Sequence, residues 1–392
     1  MPSPIRVDPR AVPRSLTGGK RPLAAGPSTV SPRRTAGPGL LACLILGAVS
    51  GCTLIPAPTK ETRHEFDAVE MAIPFRIVVY AHNSTQATNA ARAAFARIHE
   101  LNDRLSDYDP ESELSRLSRT SGSGQAVTLS PDLARVLDRA ATISAATHGA
   151  FDVTVGPLTQ LWRRARRQHE LPDPTRLSEA RKAVGWQNVR LQAGTEDGQK
   201  IRVAQLTQPG MRLDLGGIAK GFALDEAAGV LRHHGLRRML VSGAGDMLAG
   251  DPPPGQPGWK IELPPLDLPG APPSQMVWLH NRSLATSGDL FQHVEIQGVR
   301  YSHIVDPRTG LGMTDHSLVV VLASDGMTSD ALSTAFSVLP PEEALQAART
   351  FRVQFRAIRA PNSHLQVTES PGFPPPPPDP KAPRRKKPPA TP

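Results

Sequence analysis

Leu213-Asp214-Leu215-Gly216-Gly217-Ile218-Ala219-Lys220-Gly221 sets an acidic residue at the end of a short apolar run, then two glycines, then the start of a helix. Glycine lets the backbone come close to a ligand, and the free N–H groups opening a helix attract anions. The stretch lacks the glycine spacing and the Ser/Thr after lysine that make a Walker A loop, and it is not a G-x-G-x-x-G fingerprint. Taken alone, it reads equally well as a tight strand-to-helix turn.

Working outward, residues 200–203 and 212–215 are expected as short strands before this turn. A helix follows over 218–234, closed by Gly235, and then a strand over 239–242. Upstream, 71–81 reads as a strand with Pro74 near its start. Residues 87–105 carry Phe95, Ile98, Leu101 and Leu105 on one helical stripe. Ser130-Pro131 caps a second helix that buries Leu133, Val136, Leu137, Ala140 and Ile143 and stops at Gly149. Downstream, the proline-laden 251–275 reads as a surface excursion, and 291–304 as a hairpin turning at Gln297-Gly298. A buried strand over 318–323 and a helix over 327–339 complete the set. Strands and helices alternate too irregularly for a doubly wound sheet, so the expected class is α+β, with mixed or antiparallel sheets and packed helices.

The two ends differ from the body. Seven Lys/Arg against one Asp give residues 1–51 a charge of +6, and five against Asp379 give 370–392 a charge of +4. With a total of +9, the body carries about −1, so the basicity belongs to the tails and the case for nucleic-acid binding falls away. Arg33-Arg34, an apolar run over 39–49 and then Ser50-Gly51-Cys52 read as a targeting segment. Val49-Ser50-Gly51-Cys52 resembles a bacterial lipobox, which makes Cys52 the lipidated first residue of an exported protein anchored on the periplasmic side of a membrane. Cys43 is the other cysteine, inside the removed segment, so neither a disulfide, a thiol nucleophile nor a cysteine zinc site is expected. The domain plan is a signal segment over 1–51, a linker over 52–66, one domain over 67–362 and a disordered Pro/Lys/Arg-rich tail over 370–392.

Three further stretches carry chemistry. Ser329-Asp330-Ala331-Leu332-Ser333-Thr334-Ala335 puts Asp330 and Thr334 four apart on one helical face, where a carboxylate and a hydroxyl suit a hard cation. The same spacing also serves a helix whose Asp330 faces the dipole while Thr334 packs. Tyr301-Ser302-His303-Ile304-Val305-Asp306-Pro307-Arg308-Thr309-Gly310 ends a strand with a histidine and an acid able to act on a proton, or simply with a turn. Val241-Ser242-Gly243-Ala244-Gly245-Asp246 is a second strand running into small residues.

Together with Phe151-Asp152-Val153-Thr154-Val155-Gly156-Pro157-Leu158 and Ala285-Thr286-Ser287-Gly288-Asp289, these blocks follow the order seen in the ApbE family, which the chain resembles over roughly residues 68–348. The resemblance implies an FAD:protein FMN transferase that attaches FMN by a phosphoester to a Thr or Ser of an acceptor protein and releases AMP. It implies an ApbE-like fold with FAD bound between two halves. It also implies Mg²⁺ on Asp330, Thr334 and the Gly217 carbonyl, His303 as the catalytic histidine, and FAD lined by Tyr108, Ala150, Phe151, Asp152, Asp214 and Val305. The acceptor would be an FMN-carrying domain of a redox complex. Two departures stand out: Ala244 where relatives carry glycine, and Leu290 after Asp289 where an aromatic residue is common. Hydrolysis of FAD to FMN and AMP, and flavin binding without chemistry, are the competing readings.

Overall fold

The computed structural model describes residues 60–375, apart from 197, 291, 362 and 363. The targeting segment, Cys52 and the basic cluster at 384–387 lie outside the described residues.

In chain order the first half comprises β1 (Thr62–Glu70), β2 (Ile73–Ala81), α1 (Ser84–Leu105), α2 (Glu113–Arg119), β3 (Val127–Leu129), α3 (Pro131–Ala146), α4 (Gly156–Gln168), α5 (Pro174–Lys182), β4 (Val189–Glu196) and β5 (Gln199–Leu206). The second comprises α6 (Ala219–His233), β6 (Met239–Gly243), β7 (Asp246–Ala249), β8 (Trp259–Leu263), β9 (Gln275–Leu279), β10 (Arg282–Gly288), β11 (His293–Ile296), β12 (Val299–Ser302), β13 (His316–Ala323), α7 (Gly326–Val338), α8 (Pro341–Phe351), β14 (Gln354–Ala360) and β15 (Gln366–Glu369). Eight strands form one antiparallel sheet in the order β1-β2-β6-β7-β10-β13-β14-β15, with β3-β5-β4 and the pairs β8-β9 and β11-β12 as small satellites. The class is α+β, as the irregular alternation implies.

Helix starts follow their caps. Asn83 accepts from the Thr85 and Gln86 N–H groups ahead of α1, and Ser130 accepts from Leu133 N–H ahead of α3. One sheet face sends Phe75, Ile77, Val79, Val241, Val319, Val321 and Phe355 into a core shared with the buried faces of α1, α3, α6 and α7. The other face buries Val78, Leu284, Val320, Leu322 and Ile358 beneath Trp259, Ile261, Val277 and Leu279 of the β8-β9 pair. Covering on both faces explains why residues 318–323 of β13 are an unbroken apolar run rather than an alternating one.

Four expectations need correcting. The stretch 251–275 is not a surface excursion, because its prolines flank β8, which roofs the sheet with Trp259, Ile261 and Leu263 buried. Residues 212–215 form no strand; Arg212 makes a single parallel bridge with Val155, and the rest is irregular. The expected linker to residue 66 overlaps β1, which starts at Thr62 and pairs along its whole length with β2. At the other end β15 pairs with β14, and Phe373 is buried against the sheet, so packing passes the expected boundary at 362 and enters the expected tail.

Candidate active site

Two helices meet at one side of the sheet without any side chain between them. An added Cβ at Gly221 would lie 2.1 Å from the Gly326 carbonyl oxygen, and one at Gly326 would lie 2.1 Å from the Gly221 carbonyl oxygen. Only glycine fits on both sides of such a backbone contact. It brings Asp330 of α7 onto the opening of α6, where Asp330 Oδ2 accepts the Gly221 N–H at 3.0 Å and Oδ1 accepts from Lys220 Nζ at 2.7 Å. Ser283 and Ser287 of β10 pair with Ser329 and Ser333 of α7, both at 2.8 Å, fixing the helix against the sheet.

The Gly221 N–H would ordinarily bond the carbonyl four residues back, that of Gly217. Because Asp330 takes it, the Gly217 carbonyl has no helical partner among the described residues. Gly217 also lies against Thr334, whose Oγ1 would be 3.0 Å from an added Cβ and which has no hydrogen-bond partner among the described residues. Gly217 and the Thr334 hydroxyl line the cleft side by side, whereas Asp330 is buried behind them, both its oxygens engaged by Lys220 and the Gly221 N–H; carboxylate, hydroxyl and carbonyl oxygens are the donor types that magnesium prefers. No group of three or more His, Cys, Asp or Glu residues capable of holding a metal occurs among the described residues, so a cation here would rest largely on neutral oxygens.

Lys220 and Asp246 belong to the same place, and the sequence reading gave neither a role. Asp246 ends the two-residue β6-β7 turn and is buried, with Oδ2 3.2 Å from Lys220 Nζ, within ion-pair reach but without hydrogen-bond geometry. Burial raises the Asp246 carboxyl above the ordinary range, Lys220 opposes that and Asp330 adds to it. Burial would lower Lys220, but Asp330 and Asp246 outweigh it and raise its pKa, so the lysine stays charged. The expected dipole contact of Asp330 is not the one observed: no acidic residue stands in the first turn of α7, and its two oxygens instead hold the helix crossing together.

The remaining candidate residues line one cleft of about 590 Å³, walled by Tyr108, Ala150, Phe151, Asp152, Asp214, Gly217, Lys220, His303, Val305 and Thr334. Asp214 is held by Thr159 Oγ1 and Arg163 at 2.8 Å each and accepts the Gly216 N–H at 2.9 Å, which fixes the glycine turn. The Asp152 carboxylate is occupied by its own loop, accepting from Thr154 and from the Trp186 N–H at 2.9 Å, so it shapes the wall rather than offering charge. Asp306 does not act on a proton with His303. Its carboxylate accepts from the Arg308 N–H and guanidinium and its carbonyl from the Gly310 N–H, so the acid only builds the turn.

His303 follows β12 and opens to solvent inside the cleft, yet protein surrounds it, and this lowers its pKa, through desolvation first and then through the charges of Arg166 and Lys220. Its Nδ1 lies 3.1 Å from the Gln292 carbonyl oxygen. A carbonyl can only accept, so Nδ1 carries the proton and Nε2 keeps the lone pair of a base.

The comparisons agree with this architecture. The ApbE family profile matches residues 71–358. A relative from Haemophilus influenzae, named FAD:protein FMN transferase, is 33% identical over 258 residues, covering 64% of this chain and 73% of its own length. Another of that name from Treponema pallidum is 31% identical over 325 residues, covering 80% and 88%. The solved flavin transferase ApbE from Vibrio cholerae superposes with a TM-score of 0.67 at 27% identity, over 80% of this chain and 98% of its own. With the profile matched across most of its length, and with this fold, the chain belongs to the ApbE family.

Proposed function

We propose that this protein is a Mg²⁺-dependent FAD:protein FMN transferase. The observation that carries the reading is the cleft itself. It is lined by a histidine whose Nδ1 is bonded to a backbone carbonyl and by Gly217, Thr334 and Lys220, in a space of about 590 Å³, a size that suits a nucleotide-like ligand. The relatives named above carry that activity in their names.

In this reading the hydroxyl of a Thr or Ser on the acceptor attacks the FMN-side phosphorus of FAD. A phosphoester bond forms, the phosphoanhydride bond breaks, and AMP leaves. His303 Nε2 takes the hydroxyl proton, while the Nδ1–H bond to Gln292 keeps the ring in the right tautomer. Asp330, Thr334 and the Gly217 carbonyl would hold magnesium, which when bound neutralises pyrophosphate charge. Lys220 keeps Asp330 oriented while lending positive charge to the same wall. Tyr108 and Phe151 offer the flat apolar surface that an isoalloxazine ring needs.

The test is a reconstitution with FAD, MgCl₂ and an acceptor domain, followed by protein-bound flavin fluorescence and AMP release. Covalent flavin on the acceptor, lost with EDTA, supports the proposal. FMN and AMP released equally with and without acceptor would make the protein a hydrolase, and FAD retained unchanged would make it a binder.

We further propose that the domain is exported and lipid-anchored through Cys52. Cys52→Ser is expected to release it from the membrane fraction and to abolish incorporation of labelled fatty acid; unchanged fractionation and labelling would retire the anchor.

A further inference from the structure

Arg163 has no part in the chemistry above, yet three groups at the cleft hold it. It follows Trp162 on α4, and Trp162 is locked in place by its buried ring and by the bond from Nε1 to the Gly310 carbonyl at 2.8 Å. From that anchor the Arg163 guanidinium donates to Asp107 Oδ2 through one terminal nitrogen and to Asp214 Oδ2 through the other, the latter at 2.8 Å. Its central carbon lies 4.2 Å from the centroid of the Tyr108 ring, close enough for a cation-π contact. Tyr108 itself is 75% exposed although it lines the cleft. Burial raises the Asp107 carboxyl, the charge of Asp214 raises it further and Arg163 opposes both, so the guanidinium also keeps two acids at peace across a short distance.

An aromatic ring has two faces. The guanidinium occupies one face of Tyr108, and the exposure of the ring leaves the other to the cleft. We propose that Arg163 is a positioning residue: two carboxylates fix its plane, it grips Tyr108 by one face, and it thereby presents the opposite face to the flat ring system of the bound dinucleotide. The proposal rests on the flavin reading of the cleft. A lysine would keep the charge between Asp107 and Asp214 but has no plane to stack on the ring. That difference separates a ring clamp from a plain ion-pair bridge.

The experiment uses the full chain as wild type, Arg163→Lys, Arg163→Gln and Tyr108→Ala, titrated into FAD while flavin emission and transfer kinetics are followed. Thermal melting of each variant checks folding. Arg163→Lys is expected to melt near wild type yet to bind FAD about fivefold to tenfold more weakly, with weaker quenching of bound flavin and a rise in KM for FAD that exceeds any fall in kcat. Arg163→Gln should show the same optical loss together with a lower melting temperature. Full rescue of affinity and quenching by lysine overturns the clamp, as does wild-type behaviour in both arginine variants. If Tyr108→Ala weakens FAD binding while the arginine variants do not, the clamp alone fails. Wild-type protein that neither binds FAD nor alters its emission overturns the flavin reading and the clamp with it.

Discussion

The two walls of the cleft are built on opposite principles. On one side α6 and α7 cross backbone to backbone, and the buried Asp246 and Asp330 are tied to Lys220, which reaches the cleft. On the other, Tyr108 projects from the loop after α1, Arg163 reaches it from α4, and His303 leans in from the end of a small hairpin. Charges on the first wall have few alternatives, because burial makes every lost partner costly. On the second, Tyr108 and His303 are exposed, and His303 hangs on a single bond to the Gln292 carbonyl while Arg163 steadies the Tyr108 ring. The difference matches what each must do: a metal-pyrophosphate centre needs charges fixed beforehand, whereas a wall that admits a ring and an acceptor hydroxyl needs an open approach.

If that contrast is right, changes on the buried wall should have the largest effects. Asp330→Asn keeps the shape and can still accept the Gly221 N–H, but it removes the carboxylate charge beside Lys220 that the magnesium proposal needs. Flavin transfer is expected to fall on the order of 10³-fold with the fold intact by circular dichroism; a loss under tenfold would break the assignment. Gly221→Ala should destabilise by about 3 kcal/mol, since the methyl would run into the Gly326 backbone. Denaturant melts showing no loss would mean the crossing is loose and the two walls are alike.

On the open wall, His303→Ala should slow transfer about 10²-fold, leaving residual activity from the buried side. The accompanying pH profile carries a sign. Because the cleft lowers the His303 pKa, the neutral, proton-accepting form persists below the ordinary imidazole value of about 6.5. Rates should therefore hold steady down to that pH and drop only beneath it; an acid limb at or above pH 7 would argue against His303 as the base. The smallest effect is expected at the β6-β7 turn, where Ala244 has φ +48° and its methyl sits in backbone space that favours glycine. Ala244→Gly should relieve up to about 1 kcal/mol of strain, read as a modest rise in Tm. A lower Tm would show that the methyl makes a contact worth keeping.

Much of this was legible in one dimension. The apolar stripe of α1, the Ser130-Pro131 cap and the Gln297-Gly298 turn are local signals, and each element forms where its signal stands. Residue 251 onward misled because proline density marks a break in backbone hydrogen bonding but cannot say what an intervening strand such as Trp259–Leu263 will cover. Lys220 stands within the glycine stretch, but its neighbours fit no Walker loop, and only the fold brings Asp246 and Asp330 to it. Asp246 reads in sequence only as the end of a strand running into small residues, and nothing local marks Arg163.

The sequence by itself determined the α+β class, the family and the residue types at the cleft, because periodicity, caps and ordered motifs are written along the chain. Tertiary structure alone decided the partnerships. It set Asp330 on the Gly221 N–H so that no helix N–H among the described residues takes the Gly217 carbonyl, fixed the His303 tautomer through Gln292, turned Asp306 into a turn-builder and placed Arg163 over the Tyr108 ring. Each of these joins residues that are distant in the chain or that compete for the same hydrogen bond, and only the packed geometry selects among such competitors.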